Sequence, residues 1–262
     1  MKIVSRIVRK ALLTTFGFVA AALSAQSAVV VQYSFEGNLN DTAAGGSVPD
    51  NLSYNQGASA SAVAQYGAGV GGGSAAAFAG NWFQAPDSVD ADIADNTWAI
   101  ETFIKVSAHN VEWERLIVKW GVSNDYHFAL RNRNLDFFTG NPDANVFDAN
   151  TTPVTSFTDG AWHHIAFTSS ATGSQAWIDG NSVFTGGSIT LANGTDPLGI
   201  GDFGTAGTSN ALRMHGMLDE IRIHDSPIDQ AYVNGRMALL VPEPASGAFL
   251  ALTALGLVRR RR

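Results

Sequence analysis

The run Trp98-Ala99-Ile100-Glu101-Thr102-Phe103-Ile104-Lys105-Val106 restricts the fold more than any other stretch of the chain. In an extended strand alternate side chains share a face, so Trp98, Ile100, Thr102, Ile104 and Val106 line up together. Shorter runs rich in Val, Ile, Phe, Trp and Tyr recur along the chain, punctuated by Gly, Ser, Thr, Asn and Asp. This pattern predicts an all-β protein. Strands are expected over 29–35, 98–106, 115–120, 126–131, 135–139, 162–169, 175–178, 183–185 and 214–224. Asp179-Gly180 is a tight-turn signal between two of them. A short helix is expected after Ser226, with Pro227 at a first helical position and Asp229 in the first turn. Residues 57–80 are dominated by Gly, Ala and Ser and read as a flexible loop leading to a weak strand near 75–78, wrapping an edge. No repeat of a 20–50 residue period is visible, which argues against a propeller or solenoid.

The two ends read differently from this middle. Lys2, Arg6, Arg9 and Lys10 precede an apolar run over 11–23, and small residues follow in Ser24-Ala25-Gln26-Ser27-Ala28. This is the pattern of a secretory signal peptide, with cleavage expected after Ser27 or Ala28. At the other end Pro242-Glu243-Pro244 is followed by an uncharged stretch over 245–258 and then by Arg259, Arg260, Arg261 and Arg262. Proline bars a helix from crossing that point. Fourteen residues at ~1.5 Å rise give a helix of about 21 Å, short of the ~30 Å hydrocarbon core. Four arginines would mark the end that stays in the cytoplasm. This tripartite tail resembles the PEP-CTERM sorting signal. The resemblance implies an exosortase that cuts near Pro242-Glu243-Pro244, and a place in extracellular polysaccharide matrix. A plain C-terminal membrane anchor is the other reading. The expected organisation is therefore a signal segment (1–27), one exported domain (28–240) and a sorting and anchoring segment (241–262). Signal peptidase, exosortase and the inner membrane are the expected partners, and the cell surface or exterior is the expected destination.

The exported part contains no cysteine, so no disulfide staples it. The whole chain has 16 Lys+Arg and 23 Asp+Glu; removing the terminal segments leaves eight basic and 22 acidic residues, near −14. That balance argues against nucleic acid, which needs basic patches. It suits Ca²⁺, solubility or neutral glycans.

Catalytic patterns are sparse. His163 and His164 are adjacent and must point to opposite faces of a strand, so they read as framework residues rather than as a pair. Glu112 and Glu114 share a face across Trp113, but lie in a polar run that reads as a solvated rim. Asp219-Glu220 is followed by Ile221-Arg222, so an arginine stands where a glycosidase strand would carry its next acid. Asp90, Asp92 and Glu101 suggest an EF-hand loop, but the glycine that loop requires is replaced by Asp95. No catalytic residue is assigned.

The segments Asp159-Gly160-Ala161-Trp162-His163-His164-Ile165-Ala166-Phe167 and His215-Gly216-Met217-Leu218-Asp219-Glu220-Ile221-Arg222-Ile223-His224 carry a family resemblance, together with the Asp179-Gly180 turn. With Tyr33-Ser34-Phe35-Glu36-Gly37-Asn38 upstream, they resemble the laminin G-like domains of the concanavalin A-like lectin/glucanase superfamily. The resemblance implies a jelly-roll β-sandwich of two antiparallel sheets; the terminal patterns add a signal helix before it and a short hydrophobic helix after it. It also implies a structural ion between the opening turn and the last strand. Carried onto this chain, the ligands would be Glu36, Asn38, Asp41 and Asp219, whose oxygen donors suit Ca²⁺. Local turn building by Asn and Asp is the competing use of these residues. Among the tryptophans, Trp98, Trp162 and Trp177 lie in expected strands and read as core. Trp82 and Trp113 lie nearer loops and are the candidates for stacking on sugar rings. The function expected is non-catalytic binding or scaffolding in an extracellular polysaccharide; a glycan-cleaving enzyme and a purely structural surface protein are the alternatives.

Overall fold

A computed structural model describes residues 27–56, 63–93, 95–106, 113–121, 125–131, 134–139, 144–148, 159–202 and 213–240. The expected signal and sorting segments lie outside these residues, as do Glu112, Pro242, Glu243, Pro244 and Arg259, Arg260, Arg261 and Arg262.

The strands are β1 (Val29–Tyr33), β2 (Ser53–Asn55), β3 (Gln65–Ala68), β4 (Ser74–Ala79), β5 (Trp82–Ala85), β6 (Trp98–Lys105), β7 (Trp113–Lys119) and β8 (Tyr126–Arg131). They continue with β9 (Asn134–Thr139), β10 (Ala144–Asp148), β11 (His163–Ser170), β12 (Gly173–Ile178), β13 (Asn181–Gly186), β14 (Leu198–Ile200) and β15 (His215–His224). One helix, α1 (Gln230–Met237), follows. An eight-stranded sheet runs β13-β12-β11-β6-β15-β4-β3, with β1 also paired to β15. A seven-stranded sheet runs β10-β9-β8-β7-β14-β5-β2. Every pairing is antiparallel. The two sheets form the jelly-roll sandwich that the family resemblance implies, from strands that the alternating runs predict.

The core lies between the sheets. Trp98 of β6 stacks on Phe137 of β9 at 5.2 Å and on Phe167 of β11 at 5.7 Å, and those two phenylalanines face each other at 4.4 Å. All three are fully buried. The Trp98 indole N–H donates to the Ile189 carbonyl at 3.1 Å, so burying it strands no donor. Trp177 is buried too, but on the outer side of the eight-stranded sheet, with Ala99, Ala166, Ile228 and Val233 under α1. Trp162 departs from its reading: it precedes β11, is only half-buried, and lies 6.0 Å under the Lys105 ammonium.

Asp229 does not lie in the first turn of α1 but caps it. Its carboxylate accepts the Tyr232 N–H at 2.8 Å, the position where a short acceptor relieves an orphaned donor. Asp179 (φ 49°) and Gly180 (φ 76°) form the turn between β12 and β13 in the left-handed region that a two-residue hairpin of this type needs.

One irregularity positions a candidate site. β15 pairs with β4 from His215 to Leu218 and with β1 from Ile221 to His224. Its register on β6 shifts between Asp219 and Arg222, and Glu220 has φ 51°. This is a β-bulge, and it marks the seam where one flanking strand ends and another begins.

Candidate functional site

The outer face of the seven-stranded sheet follows from alternation. In β8, Tyr126, Phe128 and Leu130 belong to the inter-sheet core, so His127, Ala129 and Arg131 face outward. Their register partners on β7 are Val118, Arg115 and Trp113. Trp113 and Arg131 are therefore a cross-strand pair, and the guanidinium carbon lies 4.7 Å above the indole ring. Phe138 of β9 sits 5.0 Å from Trp113, and His127 stacks alongside at 6.1 Å. Trp120 closes the cluster, 5.8 Å from His127. Trp113 and Arg131 are both half-buried. Burial, with Arg115 adding, pulls the His127 pKa down to about 3, so the ring is neutral at physiological pH.

Trp82 lies on the same face, one sheet-half away. It is not in a loop: it opens β5 and is buried, with Arg213 lying 4.1 Å over its ring. Arg213 is fixed there by Asp202 at 2.8 Å, and Asp202 also takes Arg115 at 2.6 Å. Trp82 is thus buried beneath a cation already paired with a carboxylate, whereas Trp113 is half-buried beneath Arg131. The second carboxylate of this face, Asp136, is fully buried.

Glu114 corrects its reading as a solvated rim. It points to the opposite side of β7 from Trp113, opposite Leu130, and is 1% exposed. His215 stands 3.8 Å away. His163 and His164 diverge as expected. His163 meets Asp179 at 2.7 Å and Asp159 at 3.1 Å, while His164 meets Glu101 at 2.7 Å on the other side.

Of the four expected cation ligands, the structure brings two together. Asp219 sits at the β15 bulge and accepts the Val70 N–H at 2.9 Å and the Glu220 N–H at 2.8 Å. Glu36, three residues past the end of β1, accepts the Ser74 N–H at 3.2 Å. Both therefore hold the loop that joins β3 to β4. The loop approaches so closely that a Cβ on Gly69 would stand 2.6 Å from Asp219 Oδ2, and one on Gly73 would collide with the Glu36 carboxylate. Burial chiefly, with Glu220 and Glu36 adding repulsion, pushes Asp219 up to about 7. Asp219, whose ionisation burial makes costly, together with the Glu36 carboxylate offers the oxygen donors that suit a hard cation.

Asn38 and Asp41 do not join them. Asn38 is exposed and spends its amide inside its own turn, donating to the Glu36 carbonyl and accepting the Asn40 N–H. Asp41 accepts N–H groups from Gln32, Ala43 and Asp50. The turn-building chemistry of short polar residues wins at these two positions. Among the described residues no group of three or more His, Asp or Glu is placed to hold a metal ion.

A different cation is built in. Lys119 ends β7 with its side chain fully buried, and its ammonium meets Asp92 at 2.7 Å, Asp87 at 2.8 Å and Asp125 at 3.0 Å, plus the Gly194 carbonyl at 2.8 Å. Burial opposes the charge, but the three carboxylates hold its pKa above the ordinary lysine value. Asp92, one of the residues behind the EF-hand hint, is used here, and Asp90 accepts the Ser47 and Val48 N–H groups.

The family model described as the concanavalin A-like lectin/glucanases superfamily matches residues 78–234. Among solved structures the chain is similar to domain 4 of the extracellular arabinanase AbnA from Geobacillus stearothermophilus, determined in complex with arabinotriose. There the TM-score is 0.60 at 18% identity, over 82% of this chain and 99% of that one. It is also similar to the binding domain of Paraclostridial Mosquitocidal Protein 1 (TM-score 0.61, 14% identity, 80% of this chain and 52% of that one). A third likeness is to the binding domain of Botulinum neurotoxin DC in complex with SialylT (TM-score 0.57, 12% identity, 82% and 51%). The chain thus spans about half the length of the two toxin domains, and at these identities the likeness is one of fold. No curated protein matches the chain.

Proposed function

Because the chain belongs to the concanavalin A-like lectin/glucanases superfamily, we propose that it is a non-catalytic glycan-binding protein whose ligand lies on the outer face of the seven-stranded sheet. The observation that carries this reading is the half-buried Trp113, set among Phe138, His127 and Arg131. A flat ring at a sheet surface supports a pyranose or furanose by apolar contact, and neighbouring polar groups fix its orientation. Of the carboxylates nearby, Asp202 is paired with two arginines, Glu114 points to the opposite face of its strand, and Asp136 is fully buried. The solved neighbours with arabinotriose and SialylT support a sugar ligand in general. The terminal patterns support export, transient inner-membrane anchoring and exosortase sorting into a polysaccharide matrix.

A glycan array on the full chain in mild detergent tests the binding. Wild type is expected to retain sugars that Trp113→Ala loses; an empty array refutes the reading. Turnover of any bound glycan would replace it with the enzymatic alternative. Replacing Pro242, Glu243 and Pro244 by alanine is expected to block processing, and unchanged processing removes the sorting proposal.

We further propose that Glu36 and Asp219 hold a structural Ca²⁺. Asp219 supplies the test. Its folded pKa, near 7, is above the unfolded value, so its share of stability is full below the unfolded value of about 3.9 and is lost as pH rises through 7. With EDTA the protein is expected to melt lower at pH 8 than at pH 5.5, and Ca²⁺ is expected to abolish that difference. A melting curve indifferent to Ca²⁺ at pH 8 refutes the site.

A further inference from the structure

We infer that the sugar taken by this face is acidic, a uronate whose carboxylate pairs with Arg131; this rests on the glycan-binding reading above. Among the described residues the sheet face holds three arginines, and they are not equivalent. Arg115 and Arg213 share Asp202 at 2.6 and 2.8 Å. Arg131 has no carboxylate and no hydrogen-bond acceptor among the described residues, and its Nε is buried without a partner. What holds it is the Trp113 ring, 4.7 Å beneath.

The exported part of the chain has 22 acidic residues against eight basic ones. In such a chain an arginine without a carboxylate is an exception, and this one is also held in place. Stacking on indole removes rotamer freedom that a ligand would otherwise have to freeze. A planar guanidinium fork matches a planar carboxylate with two parallel hydrogen bonds. The neighbouring ring His127 is neutral, so it neither competes for the anion nor repels the guanidinium. The part of the half-buried Trp113 ring that the guanidinium leaves uncovered then contacts the sugar, while Arg131 reads its acid group. The acid-rich remainder of the surface does not forbid this. At physiological ionic strength the screening length is ~8 Å, so charges beyond the immediate contact act weakly on a short oligosaccharide.

The test is calorimetric titration of the full chain with trigalacturonate and with its fully methyl-esterified counterpart. Wild type is expected to bind the acid at least ~10-fold more tightly than the ester. Arg131→Gln is expected to erase that preference while retaining weak ester binding. Arg131→Lys, which keeps the charge but loses the fork, is expected to restore only part of it. Equal binding of acid and ester by wild type, or an undiminished preference in Arg131→Gln, overturns the uronate assignment. A sulfated dextran fragment bound in place of trigalacturonate also overturns it. In all three cases Trp113-dependent binding on the array leaves the broader glycan reading standing. If Arg131→Gln does not fold, the Arg131→Lys comparison decides alone: full acid preference there overturns the assignment, and partial preference supports it.

Discussion

The outer face of the eight-stranded sheet lies beneath α1, where Ile228 and Val233 cover Ala99, Ala166 and Trp177, whereas the outer face of the seven-stranded sheet carries Trp113, Arg131 and Phe138 with no helix over them among the described residues. Under α1 the polar groups converge on one carboxylate. Glu101 is fully buried and meets His164 at 2.7 Å, Tyr232 at 2.6 Å and Arg236 at 3.2 Å. Arg236 and Arg222 also share Glu220. Burial works against the Glu101 charge, yet the contacts from His164 and His224 and the charge of Arg236 hold its pKa well below the ordinary range. On the opposite sheet Asp202 closes two arginines in the same manner, but Arg131 has no such acid. A sandwich has two outward surfaces, and the contrast shows which one was finished as structure and which was left with unspent donors.

The contrast can be broken in several places. Glu101→Ala removes the common partner of a buried network, leaving His164 and Tyr232 without their acceptor and Arg236 with Glu220 alone, which Arg222 also uses. It is expected to cost about 3–5 kcal/mol in urea denaturation; a loss below ~1 kcal/mol would mean the helix face is no better sealed than the other. Acid should act on the same group. Its folded pKa is depressed, so its contribution is full above the unfolded carboxylate value of about 4.3 and is lost as pH falls through the lower folded value. Chemical denaturation below pH 4 is expected to show a steep fall in stability that Glu101→Ala no longer shows. Asp229→Ala removes the cap of α1 and is expected to cost about 1 kcal/mol, read as a lower melting temperature with unchanged glycan binding. Smallest is Arg131→Gln, which forfeits a cation–π contact worth about 0.5–1 kcal/mol. A larger loss of stability than at Asp229 would mark Arg131 as a structural residue and erase the distinction between the faces.

How much of this was legible in the sequence depends on strand length. β6 and β8 are found almost residue for residue, because each is a run of six or more with clear composition. β2, β5, β10 and β14 were missed. All but β10 have only three or four residues, and β14 reads Leu-Gly-Ile, too short for any alternation to appear. β3 was missed because Gln-Tyr-Gly-Ala sits in a Gly-rich stretch, although the stretch does wrap a sheet edge. The site was half legible. Trp113 stood out as an aromatic near a loop, but Arg131 lies 18 positions away and is brought over it only by β7–β8 register. Trp82 stood out for the same reason as Trp113 and proved to be covered, because the cation above it comes from Arg213, far along the chain. Glu36 and Asp219 could be paired through family resemblance alone, since the strand seam that joins them leaves no local signal.

The position of β15 has a consequence for how the protein matures. It is the last strand among the described residues, yet it lies inside its sheet, bonded to β6 on one side and to β4 and β1 on the other. Until residues 215–224 arrive, three earlier strands keep raw backbone edges that could pair with a second molecule. Closure of this sheet is therefore a late event in synthesis, and a chain interrupted before His215 would be a seed for aggregation rather than a smaller working domain.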